Sequence, residues 1–222
     1  MENREREIDI EELKKRVTPM PMTDEFYTND GARQTIEKNF REIMLALKLD
    51  LNDDSLEKTP YRVAKMFVDE LFYGLDWQNF PRVTVVRNKF GYNQALTIPN
   101  IKFHSCCEHH FVPIVGVAHV SYLPQNWVEG LSKFNRIVDF FARRPQIQER
   151  ATQQILQTIQ YAVDTENVAV TIDAYHLCVK IRGVKDANSV TRTTALGGSY
   201  LEKPELRAEY FSAIPRPDEI KI

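Results

Sequence analysis

At 222 residues, 43% of them hydrophobic and 27% charged, the chain has enough apolar material for a packed core that needs no metal or disulfide to hold it. A net charge of −2 excludes the broad basic field of a general nucleic-acid binder, while leaving room for a local anion pocket. Three cysteines make no disulfide framework, no apolar run is long enough to cross a bilayer, and the charged start "MENREREIDIEELKKR" does not read as a secretory leader, so a reducing, cytoplasmic setting is expected.

The first thirty residues read as a mobile or packing arm, with one short helix in "IDIEELKKR" that Pro19 and Pro21 prevent from continuing. "ARQTIEKNFREIMLALKLDL" has helical periodicity, with Ile36, Phe40, Ile43, Met44 and Leu47 on one face. "KTPYRVAKMFVDELFYGL" predicts a second helix, with Thr59 as N-cap and Pro60 at the first helical position. Its apolar face would be Val63, Met66, Phe67, Leu71 and Phe72, with Gly74 as the stop, and the two helices would form a hairpin. From about residue 82 the pattern turns to β: "VTVVRNKF", "LTIPNIKFHS" and "IVGVAHVSYLP" are rich in β-branched and aromatic residues. "LSKFNRIVDFFARR" and "QIQERATQQILQTIQYAV" predict two consecutive helices, "VAVTIDAYHLCVKI" and "SVTRTTALGG" two more strands, and "KPELRAEYFSAI" a last helix. The order suggests an α+β fold, an antiparallel sheet with helices on one face.

The chemistry concentrates in "HSCCEHH", residues 104–110. Cys107 and His110 form a C-x-x-H pair that can reach one ion from a tight turn. Downstream, "AYHLC" supplies His176 and Cys178, which would project from one face if 168–178 is a strand. A mixed Cys/His set favours zinc over magnesium or calcium. Spacing alone leaves two arrangements open: Cys107, His110 and Cys178 could bind while His109 and His176 carry protons, or one of those histidines could close the tetrahedron. Cys106, His104 and His119 read as ordinary packed or strand residues.

Between the two metal segments, "EGLSKFNRIVDFFARR" offers an anion site: Ser132 as an N-cap, Lys133 in the first turn and Arg136 three positions later. Cations in a first helical turn oppose the macrodipole, and binding phosphate would account for them. Arg182 follows the second metal segment, Arg62 and Lys65 stand near a helix start, and Glu149 opens a helix as a carboxylate favoured there by the dipole.

Together these stretches resemble the GTP cyclohydrolase I family, on "TPYRVAKMFVDELFYG", "CEHHFVPIVG", "GLSKFNRIVDFFARRPQIQER" and "HLCVKIRGV", over roughly residues 35 to 213. The resemblance implies a zinc enzyme that hydrates C8 of the guanine of GTP, expels that carbon as formate and closes a pterin ring to give dihydroneopterin triphosphate. It implies zinc on Cys107, His110 and Cys178 with a place left for water, and His109 and His176 as proton carriers. Glu149 would read the guanine edge with Gln148 nearby. Ser132, Lys133, Arg136 and Arg182 would meet the triphosphate and ribose, Ser132 also assisting the ribose rearrangement, and Arg62 and Lys65 would come from a neighbouring subunit. The implied architecture is the tunnelling fold, an antiparallel four-stranded sheet with two consecutive helices on one face, preceded by an N-terminal helical region. Its division would be an arm and helical hairpin over 1–90 and a catalytic domain over 91–222. Assembly would be a toroidal homodecamer with active sites between subunits, and neither nucleic acid nor membrane is an expected partner.

Overall fold

The computed structural model describes residues 5–23 and 27–219, so the "MENR" start lies outside the described residues. Strand β1 (Glu5–Glu7) leads into helix α1 (Ile10–Arg16), the helix expected from "IDIEELKKR". Its N-cap Asp9 accepts from the Glu11 and Glu12 amides, and its basic last turn suits the helix dipole. Helix α2 (Asn29–Ala46) is capped by Thr28. Of its expected apolar face only Met44 is buried; Ile43 is 51% and Leu47 66% exposed, so much of that stripe is bare within a single chain. In α3 (Thr59–Lys65) the N-cap is Lys58, not Thr59: Thr59 and Pro60 already belong to the first turn. After Lys65 the backbone widens into a π-helical turn, Met66–Leu71. The extra residue per turn moves later side chains off the 3.6-residue stripe, and Met66, Phe67 and Phe72 are only partly buried. Gly74 ends this stretch by close approach: its amide donates to the Arg143 carbonyl at 3.0 Å, and a Cβ there would stand 2.1 Å from the Phe140 carbonyl oxygen.

The remainder runs β2 (Thr84–Arg87), β3 (Leu96–Cys107), β4 (Pro113–Tyr122), β5 (Trp127–Glu129), α4 (Leu131–Ala142), β6 (Pro145–Gln146), α5 (Gln148–Val163), β7 (Val168–His176), α6 (Leu177–Lys180), β8 (Thr191–Leu196), α7 (Ser199–Glu202) and α8 (Pro204–Ala213). The class is α+β. The main sheet has the order β6-β3-β4-β7-β8, antiparallel from β3 to β8, with β6 added parallel to the end of β3. This short fifth strand makes the sheet mixed where four antiparallel strands were expected, and β1, β2 and β5 form a second sheet. One face of the main sheet is covered by α4 and α5, whose Phe134, Ile137, Phe141, Ile155 and Ile159 meet Phe103, Val170 and Ile172 in the principal core. The other face is not left to solvent: Tyr200, Tyr210 and Ile214, around α7 and α8, pack on Ala169. Beneath them Asp173, fully buried, takes a two-pronged ion pair from Arg192 at 2.6 and 2.7 Å and stands 3.3 Å from His119 Nε2.

Glu129 is a second buried acid, but without a partner for either carboxylate oxygen. Burial pushes its carboxyl up from the ordinary 4.5 to about 8, with Lys133 pulling the other way. Because the folded-state pKa is raised, the stability tied to this group is complete below about pH 4.5 and is lost as pH rises through about 8. We expect Glu129→Gln to flatten that fall, gaining on the wild type by on the order of 4 kcal/mol at the alkaline end. Urea unfolding at pH 5 and pH 8.5 checks this; parallel slopes for the two proteins would contradict it.

Candidate metal centre and its surroundings

The chain turns back on itself between β3 and β4. The Phe111 amide donates to the Cys107 carbonyl at 2.8 Å and the Cys107 amide to the Val112 carbonyl at 2.9 Å, closing a tight loop. The Glu108 amide hooks that loop to β6 through the Gln146 carbonyl at 3.1 Å. Cys107 Sγ then lies 3.7 Å from His110 Nδ1 and 3.9 Å from His109 Nδ1.

The third member arrives differently from expectation. The strand stops at His176, and Leu177–Lys180 is a helical turn, so Cys178 does not share a strand face with His176. The turn instead carries the Cys178 thiol to the loop, and ligand atoms of Cys107, His110 and Cys178 all lie within 4.8 Å of one another. Donors around a tetrahedral ion stand roughly 3.5–4 Å apart, so this trio fits a small cation with little movement. Burial and the adjacent Cys107 push the Cys178 thiol up. By strand alternation Cys106 faces away from Cys107, and burial pushes its thiol up to about 11.

His176 sits at the end of β7, paired across the sheet with Ile114. Its Nε2 is 2.8 Å from Gln148 Oε1. The orientation of that amide is settled by its other end, because Gln148 Nε2 donates to the carbonyls of Ile172 and Thr191, both at 2.9 Å. Gln148 Oε1 can only accept, so His176 carries its proton on Nε2 and presents a bare Nδ1. Burial holds His176 below its usual pKa, with Glu149 pulling the other way.

Gln148 is thus a buried clamp, while Glu149, next to it in the first turn of α5, is exposed. On α4, Gly130 and not Ser132 occupies the N-cap, which leaves Ser132 and Lys133 inside the first turn. Ser132 and Arg136 are exposed, and Lys133 Nζ donates to the Arg82 carbonyl at 2.9 Å. Arg182, just past α6, acts electrostatically on Cys178. Arg62 and Lys65 are exposed on α3.

Two supports had no signal in residue pattern. Arg150 grips Glu108 at 2.6 Å, bracing the loop from α5; the loop glutamate and the "QER" arginine look like surface charges until the fold brings them together. Phe111, directly after His110, has φ of 54°, a strained setting for a residue with a bulky side chain. Its ring is held by Phe72 at 5.4 Å and Phe67 at 6.0 Å, so the π-helical turn secures the metal loop. We expect Phe72→Ala to weaken metal affinity about tenfold by loosening His110 while preserving secondary structure. Competition with a chromophoric chelator reads this, and unchanged affinity would show that the ring contact has no such role.

A sequence profile described as GTP cyclohydrolase I matches residues 36–215. GTP cyclohydrolase 1 of Vibrio vulnificus strain YJ016 is 52% identical over 202 residues, covering 91% of this chain and 93% of the relative. That of Vibrio parahaemolyticus serotype O3:K6 is 50% identical over 204 residues, covering 92% and 94%. Among solved structures, the apo archaeosine synthase QueF-Like aligns with 48% of this chain and 94% of its own at 20% identity and a TM-score of 0.39, a likeness too weak to bear on function.

Proposed function

We propose that Cys107, His110 and Cys178 hold a catalytic zinc ion in this chain, which belongs to the GTP cyclohydrolase I family. The activity is that of the family: GTP is converted to 7,8-dihydroneopterin 3'-triphosphate and formate. The observation that carries the metal reading is the convergence of two thiols and one imidazole within 4.8 Å, three soft or borderline donors that leave one tetrahedral position for water or substrate. Zinc held there would serve as a Lewis acid and make water a competent nucleophile near neutral pH, the chemistry that hydration at guanine C8 requires.

The protein's own groups do the rest. His176, held by Gln148 with its Nδ1 bare, would take a proton from the attacking water and return it to a ring nitrogen as the C8–N bond breaks. His109, 3.9 Å from Cys107 Sγ and otherwise exposed, is the second proton carrier. Glu149 accepts from guanine N1–H and the 2-amino group together, a pair of donors that adenine lacks. Gln148 supports this reading through His176, since its own amide is already engaged. Ser132, Lys133, Arg136 and Arg182 would receive the triphosphate and ribose, with Ser132 also assisting the ribose rearrangement. Arg62 and Lys65 complete that pocket from a neighbouring subunit.

Self-association is supported by the bare stripe of α2, where Ile43, Leu45 and Leu47 are each at least half exposed. We assign the chain to a toroidal homodecamer of tunnelling-fold subunits, with residues 91–222 as the catalytic unit and 1–90 as the arm and hairpin that pack between subunits. Among the described residues no helix is long and apolar enough to cross a membrane, and the expected setting is the cytoplasm.

Cobalt substitution tests the ligand set. A Co(II)-loaded protein should show thiolate-to-metal charge-transfer bands and the intense visible bands of a tetrahedral site. Cys107→Ser should remove about half of the charge-transfer intensity. Bands typical of six oxygen or nitrogen donors, or intensity unaltered in Cys107→Ser, would overturn the assignment.

A further inference from the structure

Arg144 has no part in the chemistry above and is the largest fully buried side chain among the described residues, 2% exposed. It follows α4 and precedes β6, its guanidinium lying against the rings of Phe140, Phe141 and Trp77 at 4.6, 4.7 and 5.3 Å. Those rings satisfy the faces of the cation but not its edge, and neither Nε nor Nη2 has a hydrogen-bond partner. No acid among the described residues forms an ion pair with it: Asp139 is engaged with Arg143 and Tyr73, Glu108 with Arg150, and Glu11 with Lys14. An unpaired buried guanidinium costs several kcal/mol, and it is retained most readily where a counter-charge visits.

The space for one is present. Arg144 lines a cavity of about 170 Å³, room for roughly five waters. Lys14 of α1 forms another part of the wall, its Nζ 6.0 Å from the same Trp77 ring that Arg144 covers. Two cations thus converge on one indole, Lys14 paired outward with the exposed Glu11 at 2.6 Å and Arg144 with no acid on its Nε or Nη2. The roof is the irregular segment from Val17 to Met20, pinned where the Thr18 amide donates to Gln157 Oε1 at 2.7 Å and Gln154 Nε2 donates to the Thr18 carbonyl at 2.8 Å. Met20, Met22 and Leu75 are shared with a second, more apolar cleft of about 510 Å³ that reaches His109 and Glu108 at the metal loop.

We propose that this cavity is a binding site for a small oxyanion of the carboxylate or phosphate class, with the Arg144 guanidinium as its main partner and Lys14 as its second. Planar bidentate recognition by guanidinium suits formate as well as inorganic phosphate. The cavity shares Met20, Met22 and Leu75 with the cleft at His109, so formate leaving the reaction centre would be released beside it. That source, unlike the site itself, rests on the assigned reaction.

Trp77 is a reporter inside the cavity and one of only two tryptophans in the chain. In a Trp127→Phe background, Trp77 emission is followed while sodium formate or sodium phosphate is titrated against sodium chloride at matched ionic strength. The expected result is a saturable response to formate, phosphate or both, absent with chloride. It should be at least tenfold weaker in affinity in Arg144→Met and several-fold weaker in Lys14→Met, whose side chain is on a surface helix and whose folding is not at stake. Which anion responds identifies the source. A response no stronger than that of chloride, or one that Lys14→Met leaves intact, overturns the proposal, as does one that survives in a folded Arg144→Met. Loss of the response in Lys133→Ala would place the anion in the triphosphate pocket and also overturn it; its persistence there separates this site from the assigned active site.

Discussion

His176→Ala is expected to keep its metal and to lose formate and pterin production by about 10²- to 10⁴-fold, the range typical for removing a positioned acid–base group. The argument is geometric. Gln148 gives its amide hydrogens to the Ile172 and Thr191 carbonyls and offers only Oε1 to His176, so one ring nitrogen is committed to structure and the other is free for chemistry. His176 also lies outside the group of Cys107, His110 and Cys178, whose ligand atoms are within 4.8 Å of one another, so its loss should leave those three donors in place. His110→Ser should behave differently, losing metal and activity together, since it removes one of three donors. Metal analysis and a coupled formate–pterin assay on the two variants distinguish them. Full turnover in His176→Ala would leave the enzyme assignment standing and remove the proton-transfer role of this residue.

Asp173→Ala is expected to destabilise the fold by about 3–5 kcal/mol, the cost of stranding buried partners of an ion pair. Asp173 is fully buried; its loss leaves Arg192 without both of its prongs and His119 Nε2 without its neighbour. The same residues tie the C-terminal helix to the sheet, because Arg192 also donates to the Pro215 carbonyl at 2.8 Å and Tyr210 Oη to the His119 carbonyl at 3.1 Å. Burial works against the Asp173 carboxylate, yet the close approach of His119 and the two hydrogen bonds from Arg192 outweigh it and hold the carboxyl below its ordinary range. A depressed folded-state pKa gives stability that is present above the unfolded value and lost as pH falls through the folded one. The wild type should therefore lose more stability than Asp173→Ala as pH drops through the acid range. Urea midpoints at pH 7 and pH 4 measure both effects, and a variant within 1 kcal/mol of the wild type at pH 7 would refute the network's role.

What residue pattern made visible, and what it did not, follows from the range of the forces involved. Helices α4 and α5 and strands β3, β4 and β7 announce themselves because a long element repeats its apolar period several times. β6 has two residues, one a proline, and exists only because the end of β3 offers it hydrogen bonds, so no local signal marks it. The π-helical turn at Met66–Leu71 breaks the period from within, and its purpose is tertiary: it brings Phe67 and Phe72 to Phe111. Thr59 and Ser132 have the chemistry of N-caps, but each is one or two residues inside its helix, because the boundary is set by the preceding backbone. The donors of the metal centre were legible as residue types, since cysteine and histidine are scarce in this chain and cluster in two places. The way Cys178 arrives was not, because a strand and a helical turn can each deliver a side chain to the same point. The Gln148 clamp on His176 and the buried cation at Arg144 depend on contacts between distant segments and carry no sequence signature at all.

The central claim is that zinc on Cys107, His110 and Cys178 drives the release of formate from GTP. The measurement that reaches it most directly is the rate of formate release across a series of samples stripped by chelator and reloaded to graded zinc content. The account predicts a rate proportional to zinc occupancy, vanishing in the fully stripped protein and saturating at one zinc per chain. Formate release that persists after complete stripping, or a fully zinc-loaded protein that releases none, would contradict it.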